Sequence, residues 1–395
     1  MVTIIILGGG FGGLAAANKL LKTGHNVILI SDTDHFLYTP LLHEVAAGEV
    51  LTEHISVYVR DFLKGDNFRF IRAKVSKVDA MNQEVYYNKS KIQFDILLIA
   101  TGSRVNYYGI KGADKYTYNM KIKDEVAKLK RNIKESLEKT TATDDEEELE
   151  KLLTFVIAGA GPTGIEYSGD LAEYLKKQES KYPAMKKKKQ RIFVLNAAKD
   201  ILPIMHDKSR NWVKKRLEKK GITLMNESPI TEVGEDYVVI AGKDKIFSNT
   251  IVWSAGVTPN ELPTEPKLQD ERGYFQIDTY LRVKGKENIF AIGDASFLPN
   301  VPPLAQSARD EGLFVADNII RAIEKKELKE FKFNNKGILI SIGKYYGIAE
   351  LRVFGNIVYL QGIIPRVLKR AVYLMGLPTL KAKLYLLHDW VNSIF

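Results

Sequence analysis

The sequence contains no cysteine in 395 residues. Structural disulfides, thiolate metal sites and thiol-based catalysis are therefore excluded. No uninterrupted apolar stretch approaches the roughly 18 residues that a membrane-crossing helix needs. Met1 leads straight into an apolar run without the basic flank of a secretory leader, so none is expected. No metal site is expected either. Negative charge is in short supply, because 58 Lys and Arg face 48 Asp and Glu, a net +10. Such a balance suits nucleic acid, an anionic membrane surface or acidic ligands, or serves solubility alone. The length is sufficient for two or three domains.

What is present is glycine in two patterned clusters. The first is Gly8, Gly9, Gly10, Phe11, Gly12 and Gly13, after the apolar run Thr3–Leu7. The second is Gly159, Ala160, Gly161, Pro162, Thr163 and Gly164, after Thr154–Ala158. Each cluster lies between a β-branched apolar run and a helical pattern. For the first, residues 14–23 read as a helix with Leu14, Ala17, Leu20 and Leu21 inward, and residues 26–30 as the next strand. For the second, residues 165–176 read as the helix and Arg191–Leu195 as the strand. A strand–glycine turn–helix unit permits a tight turn and close approach of a pyrophosphate to a helix N-terminus. Two such units predict an α/β protein with two Rossmann-like dinucleotide sites.

Residues 94–100 form another buried strand, ending in Ala100, Thr101, Gly102 and Ser103. Lys123–Lys139 reads as an amphipathic helix with Val126, Leu129, Ile133 and Leu137 on one stripe. The acidic run at 144–150 reads as a solvated helix start. Residues 251–257 and 288–294 are short strands ending in glycine turns, and residues 338–342 and 348–351 are β-like. The four lysines 186–189 lack interleaved aromatics and read as a surface loop, so no nucleic-acid partner is expected.

With these motifs assembled, the chain resembles the two-dinucleotide-binding flavoprotein reductases. Gly8, Gly10, Phe11, Gly12 and Gly13, then Ala100-Thr101-Gly102, then Ala291-Ile292-Gly293-Asp294 are similar to that superfamily's three FAD elements in order. The resemblance implies non-covalent FAD, with Asp294 accepting hydrogen bonds from the ribityl chain. Within the superfamily the chain resembles the type II NADH:quinone oxidoreductases over nearly its whole length. Tyr38-Thr39-Pro40-Leu41-Leu42 is similar to that family's segment beside the flavin. Gly159, Gly161, Pro162, Thr163, Gly164 and Glu166, continuing through Asp170-Leu171-Ala172-Glu173, resemble its NADH fingerprint. Pro303-Leu304-Ala305-Gln306 resembles its Ala-Gln element near the quinone end of the flavin, and residues 337–344 resemble a strand ending in a basic residue, Lys344. The same likeness assigns Val78 to the flavin and Ala255 and Gly256 to NADH.

Three positions depart from the pattern. The acid expected to hold the first ribose, about 20 residues past the glycines, falls at Ser31, with Asp32 next to it. In the second unit the corresponding residue is Asn196, which can hydrogen-bond a ribose but carries no charge against a 2′-phosphate. With Lys199 nearby, NADPH stays open beside NADH. The family's second Gln is replaced by Asp310.

The expected domains are residues 1–115 with 265–330 for FAD, 116–264 for NAD(P)H, and a C-terminal region over 331–395. In that region residues 365–376 place Leu368, Ala371, Val372 and Met375 on one stripe, with Arg366, Lys369 and Arg370 off it. Residues 380–395 align Leu380, Leu384, Leu387, Val391 and Ile394, with Tyr385 and Trp390 flanking and Lys381 and Lys383 near the start. This reads as an amphipathic anchor lying in the bilayer interface, its cations near anionic headgroups and Trp390 at the boundary. The alternative is that it covers another part of the protein or a second subunit, and a homodimer suits both readings. Without thiols, electrons must leave the reduced flavin directly.

The expectation is a non-pumping NADH:quinone oxidoreductase, peripheral on the cytoplasmic face of the membrane, with Glu166, Gln306, Asp310 and Lys344 at the acceptor. A reductase of a soluble acceptor such as ferredoxin or rubredoxin is the alternative enzyme. A flavin-binding sensor without turnover is the alternative of another class.

Overall fold

The computed structural model describes residues 1–242 and 244–393. The elements that matter below are, in chain order, β1 (Thr3–Leu7), α1 (Phe11–Leu20), β2 (Asn26–Ser31), α2 (Leu42–Ala46), β3 (Phe68–Arg72), β4 (Ile96–Ile99), α3 (Lys123–Lys139), β5 (Thr154–Ala158) and α4 (Pro162–Gln178). They continue with β6 (Arg191–Leu195), β7 (Ile222–Met225), β8 (Thr250–Trp253), β9 (Ile289–Ala291), α5 (Ala305–Ile323), β10 (Gly337–Ser341), β11 (Gly347–Val353), β12 (Asn356–Gly362), α6 (Ile363–Gly376) and α7 (Leu380–Asn392).

The chain forms two compact units. The first comprises Met1–Leu37, Ser56–Arg104 and Val257–Asn334. Its centre is a parallel sheet in the order β9-β4-β1-β2-β3. Ile4, Ile5, Ile6 and Leu7 are fully buried, as expected of a parallel strand covered on both faces. Helix α1 packs against α5 through Gly12 and Gly312. A side chain on Gly312 would come within 2.2 Å of the Gly12 carbonyl.

The second unit comprises Tyr38–Ile55, Val105–Gly256 and Asn335–Phe395. Its parallel sheet runs from the short strand Tyr118–Asn119 through β8, β5, β6 and β7. Val156, Ala158, Leu195, Ile251 and Trp253 build its core. Helix α3 occupies the predicted residues and buries Val126, Leu129, Ile133 and Leu137. The acidic run starts a helix, Glu146–Leu152, as expected. Asp145 caps it by accepting from the Glu147 and Glu148 N–H groups at 2.8 and 3.2 Å. Strands β10, β11 and β12 make an antiparallel sheet in this same unit. Most of the region expected at 331–395 therefore belongs to the second unit.

Helices α6 and α7 are amphipathic, and α6 turns Ala371, Val372 and Met375 outward as expected of the apolar stripe, but its cations, expected near headgroups, are buried. Arg366 and Lys369 are each 1% exposed, whereas Ile364, Val367 and Met375 are 62%, 59% and 69% exposed. The cause is a set of buried carboxylates on α2 and α4, described below, which the cations of α6 neutralise. Trp390 is also buried rather than at a boundary, because its indole N–H donates to Glu44 Oε2 at 2.7 Å. Asp389 accepts from His54 Nδ1 at 2.7 Å and from the Leu51 N–H at 3.0 Å. Leu380, Leu384, Leu387 and Val391 do face outward. Ile394 lies outside the described residues. No helix among the described residues is long and apolar enough to cross a membrane.

Candidate active site

The three glycines of each fingerprint have three distinct jobs, and they are the same jobs in both units. Gly8 has φ +108°, and a side chain there would lie 2.2 Å from the Ala100 carbonyl oxygen. Gly13 would place one 2.0 Å from the Gly8 carbonyl oxygen. Gly10 has nothing within 4 Å. The outer glycines thus permit the turn and the close helix packing, and the middle one leaves open space at the helix start. In the second unit Gly159 has φ +102° and crowds Ala255 and Ser254 at 2.7 Å. Gly164 crowds Gly159 at 2.0 Å, and Gly161 is open. Helices α1 and α4 both begin with no side-chain cap and no acid in the first turn. The acid-rich, Asp-capped start at Glu146 is the opposite case. An uncapped helix start beside open space is the environment a pyrophosphate fills, so both turns fit a dinucleotide.

Around the first turn the fold gathers most of the residues expected to hold FAD. Ser31 ends β2 beside Gly9, whose side chain would meet Ser31 Oγ at 3.1 Å, and Asp32 is exposed. Ala100 follows β4, its N–H donating to the Leu7 carbonyl at 2.8 Å. The Thr101 hydroxyl is buried with no partner, and Gly102 accepts from Asn260 N–H at 3.0 Å. Asp294 accepts from the Ser103 hydroxyl. Gly293 and Gly12 both pack on Ala308 of α5. At the start of α5, Ala305 is half-buried and Gln306 Nε2 is buried without a partner. The buried, unpartnered atoms on Thr101 and Gln306 are polar groups that a flavin would satisfy. Val78 is buried in the strand Val75–Asp79, its N–H donating to the Pro263 carbonyl at 2.9 Å. Thr39 and Pro40 form a short turn in the second unit.

One residue here was not singled out from sequence. Glu311, 4% exposed, accepts from the Gly293 N–H at 2.5 Å. Burial pushes its carboxyl up to about 7, with Asp294 and half-buried Asp310 adding to the rise.

In the second unit Ser254 Oγ donates to the Ala158 carbonyl at 2.8 Å, which ties the Ala255-Gly256 turn to Gly159. Tyr108 lies over Gly256 and its hydroxyl donates to the Ala255 carbonyl at 3.3 Å. Pro162 and Thr163 open α4. Asn196 Nδ2 donates to the Ala198 and Asp200 carbonyls and to Asn226 Oδ1, at 2.9, 3.1 and 3.0 Å. Its amide donors are thus committed to the local turn. Asp200 draws Arg210 and Lys214 to 3.8 and 3.7 Å.

Glu166 is not a solvent-facing first-turn acid. It is 5% exposed and lies in a buried network of charge within the second unit. Lys369 Nζ donates to Glu166 Oε1 and, at 2.8 Å, to Ser341 Oγ. The Ser341 N–H donates to Glu166 Oε1 at 2.9 Å. Gly169 permits this approach, since a side chain there would strike Gly343 N at 2.9 Å. Burial opposes the charge on Glu166, but Lys369 and His43 outweigh it and hold the carboxyl below its usual range.

One layer away, Glu44 accepts from Arg366 at 2.7 Å and from Trp390. Burial again opposes the charge, and Arg366 with His43, Arg370 and Lys369 brings Glu44 down to about 2. Glu49 lies 3.6 Å from Arg366 and 3.5 Å from Arg370. Burial, Asp170 and Glu44 push it up to about 7.

Lys344 is elsewhere in this unit. Its N–H donates to Glu173 at 2.8 Å, its ammonium to the Ser393 carbonyl, and burial with Lys177 lowers it to about 8. The cation against Glu166 is therefore Lys369. His43 and Glu44 were not singled out from sequence; Asp170 was read only as part of the second fingerprint, Ser341 only as part of the strand ending in Lys344, and Arg366 and Lys369 only as headgroup cations. The available signal was His43-Glu44 interrupting the apolar stretch 41–47, together with three cations at spacings of three and four in α6.

Comparisons with known proteins agree with this geometry. A family model described as pyridine nucleotide-disulphide oxidoreductase matches residues 2–312. A probable NADH dehydrogenase of Dictyostelium discoideum is 31% identical over 408 residues, covering 99% of this chain and 89% of that protein. The type II NADH:quinone oxidoreductase Ndh of Mycobacterium tuberculosis is 29% identical over 405 residues, covering 98% and 87%. The structure of NDH2 from Plasmodium falciparum in complex with NADH has the same fold. Its TM-score is 0.91 at 22% identity, covering 100% of this chain and 98% of that one. The chain thus belongs to the pyridine nucleotide-disulphide oxidoreductases and, within them, to the type II NADH:quinone oxidoreductase family.

Proposed function

We propose that this chain is a peripheral membrane enzyme that oxidises NADH and reduces a membrane quinone without pumping protons. The observation that carries the proposal is the pair of open glycine turns, each at an uncapped helix start, in a chain without a thiol to relay electrons. FAD, when bound, supplies the redox chemistry between the two substrates. The overall balance is NADH, one proton and quinone giving NAD⁺ and quinol.

In this reading Gly10, Gly12 and Gly13 hold the FAD pyrophosphate, Asp294 the ribityl hydroxyls, and Ser31 or Asp32 the adenosine ribose. Phe11, Thr39, Pro40, Ala305 and the free amide of Gln306 border the flavin. Gly161, Pro162 and Thr163 hold the pyrophosphate of NADH, with Ala255 and Gly256 against its nicotinamide end. Asn196 offers only its carbonyl oxygen to a ribose hydroxyl. Arg210 and Lys214 are drawn to Asp200, whereas Lys199 is exposed, so NADPH stays open beside NADH. The Glu166–Lys369 pair holds a proton for the acceptor, and Gln306, Asp310 and Lys344 are the residues that the family resemblance assigns to the quinone.

The outward apolar faces of α6 and α7 support an acceptor in lipid over a soluble redox protein. They lie on the membrane surface, at the cytoplasmic side. Of the five cations counted in the sequence, Arg366 and Lys369 are buried and Arg370 is turned to Glu49. Lys381 and Lys383 remain for headgroups, so insertion of apolar side chains contributes more than charge. The test is anaerobic addition of NADH, with NADPH compared, followed by a quinone. The visible flavin absorbance falls with NADH and returns with quinone. A flavin that NADH leaves oxidised contradicts the proposal.

A further inference from the structure

His43 is a buried imidazole with both ring nitrogens engaged by carboxylates. It is 3% exposed. Nδ1 lies 2.6 Å from Asp170 Oδ2, and Nε2 lies 3.4 Å from Glu166 Oε2 and 3.3 Å from Lys369 Nζ. Asp170 is fully buried, and its second oxygen, Oδ1, has no hydrogen-bond partner. One turn further along α4, Glu173 and Tyr174 line a pocket of about 240 Å³ with Glu49, Lys177, Gln178 and Lys344. His43 therefore joins Asp170 to Glu166 by direct contacts, and the ionisable pocket begins one helical turn beyond Asp170 without Asp170 lining it.

We propose that Asp170 and His43 form a proton relay that recharges Glu166 from this pocket. The inference rests on the reading of Glu166 as the proton-holding group at the acceptor, and it accounts for the one proton that the overall reaction takes from solution. Asp170 gives its carboxyl proton to His43 Nδ1 as the His43 Nε2–H passes its proton to Glu166 Oε2. Asp170 is left as carboxylate and Glu166 as acid. No electrons move and the net charge is unchanged. The pocket returns a proton to Asp170, and His43 resets when its Nδ1 gives up one proton and its Nε2 takes one up, which restores the first tautomer with no net change of charge.

Several charged groups face His43. From its own segment these are Glu44 and Glu49. Helix α4 presents Glu166 and Asp170, and α6 presents Arg366, Lys369 and Arg370. The Tyr373 phenol on α6 is raised well above the usual value by burial. Ser341 lies at the end of β10. Helix α3, which also packs on α2, contributes Lys130, lowered by burial and drawn toward Glu53. Imidazole exchange between two carboxylates moves a proton to Glu166 with no change in the net charge of this buried network.

The test uses the full-length flavin-loaded protein and its His43→Gln and Asp170→Asn variants. Electrons are passed from NADH to ferricyanide, which takes no proton, and to a short-chain quinone, which takes two. The relay predicts that both variants keep the ferricyanide rate within about twofold. It predicts a loss of about 10- to 100-fold with quinone, steepest at alkaline pH, in line with the usual worth of a positioned proton donor. Independently of turnover, ¹⁵N-histidine spectra of the six-histidine protein assign His43 by its loss in His43→Gln. Its Nδ1 signal shifts in Asp170→Asn. Equal losses with both acceptors indicate a merely structural role and overturn the relay, as do an unchanged quinone rate or an unmoved Nδ1 signal. If NADH fails to bleach the wild-type flavin, the parent reading falls instead.

Discussion

Helices α1 and α6 bury opposite kinds of surface. Helix α1 turns Leu14, Ala17 and Leu20 inward. Helix α6 turns Arg366 and Lys369 inward and leaves Ile364, Val367 and Met375 outside. The first is the ordinary arrangement for a helix packed on an apolar sheet. The second follows from its neighbours, since α2 and α4 carry Glu44 and Glu166 at buried positions, where a carboxylate needs a cation. An amphipathic pattern thus identifies two faces, and the partner decides which face is buried. In α6 the outcome is an apolar outer surface and a charged inner one.

The sharpest way to break this comparison is to remove a buried cation. Arg366→Met leaves Glu44 without its closest charge partner and costs about 3–5 kcal/mol in urea denaturation. Val367→Asp, on the opposite face of the same helix, changes stability by less than about 0.5 kcal/mol. If the two costs are similar, α6 is not inverted. A deletion of the whole segment after Gly362 does not separate these effects, because it removes the outward face and the buried cations together.

The glycine turns give a second contrast of the same form. Gly164→Ala places a methyl 2.0 Å from the Gly159 carbonyl and destabilises the unit by about 1–3 kcal/mol. Gly161→Ala meets nothing within 4 Å, so the melting temperature is kept. NADH binding weakens about tenfold, about 1.4 kcal/mol, because the methyl stands where the pyrophosphate approaches. Calorimetry of unfolding and titration with NADH check both.

A further effect is expected in pH dependence. Glu49 titrates near 4.5 in the unfolded chain and near 7 in the fold. Between those values the folded state binds more protons, so Glu49 lowers stability as pH rises through that window. Glu49→Gln removes this slope, and its melting temperature gains on the wild type from pH 5 to pH 8. Glu44, held near 2, acts the other way. Its contribution is present above about 4.5 and is lost as pH falls toward 2.

The glycine clusters were legible because they are local. Their roles depend on backbone conformation and on contacts with strand ends whose sequences, Ala100-Thr101-Gly102 and Ser254-Ala255-Gly256, are themselves motifs. Asp294 and Gln306 were legible through resemblance, and the structure places them near the first turn through α5. The Glu166 environment was not legible. His43 precedes it by more than 120 residues and Lys369 follows it by more than 200, so no window of sequence contains the network. Arg366 and Lys369 read as headgroup cations because hydropathy takes no account of a distant buried carboxylate. Trp390 was misplaced for the same reason, since its burial depends on Glu44.

The central claim is that the outward apolar face delivers the enzyme to an acceptor held in lipid. The most direct measurement compares the wild type with the Val367→Asp, Leu384→Asp double variant, using NADH and either a long-chain quinone confined to vesicles or a water-soluble quinone. Each lost insertion is worth about 1.5–3 kcal/mol. The account predicts a loss of at least about tenfold with vesicle-bound quinone and an unchanged rate with the soluble one. Equal rates for both proteins on vesicle-bound quinone would contradict it.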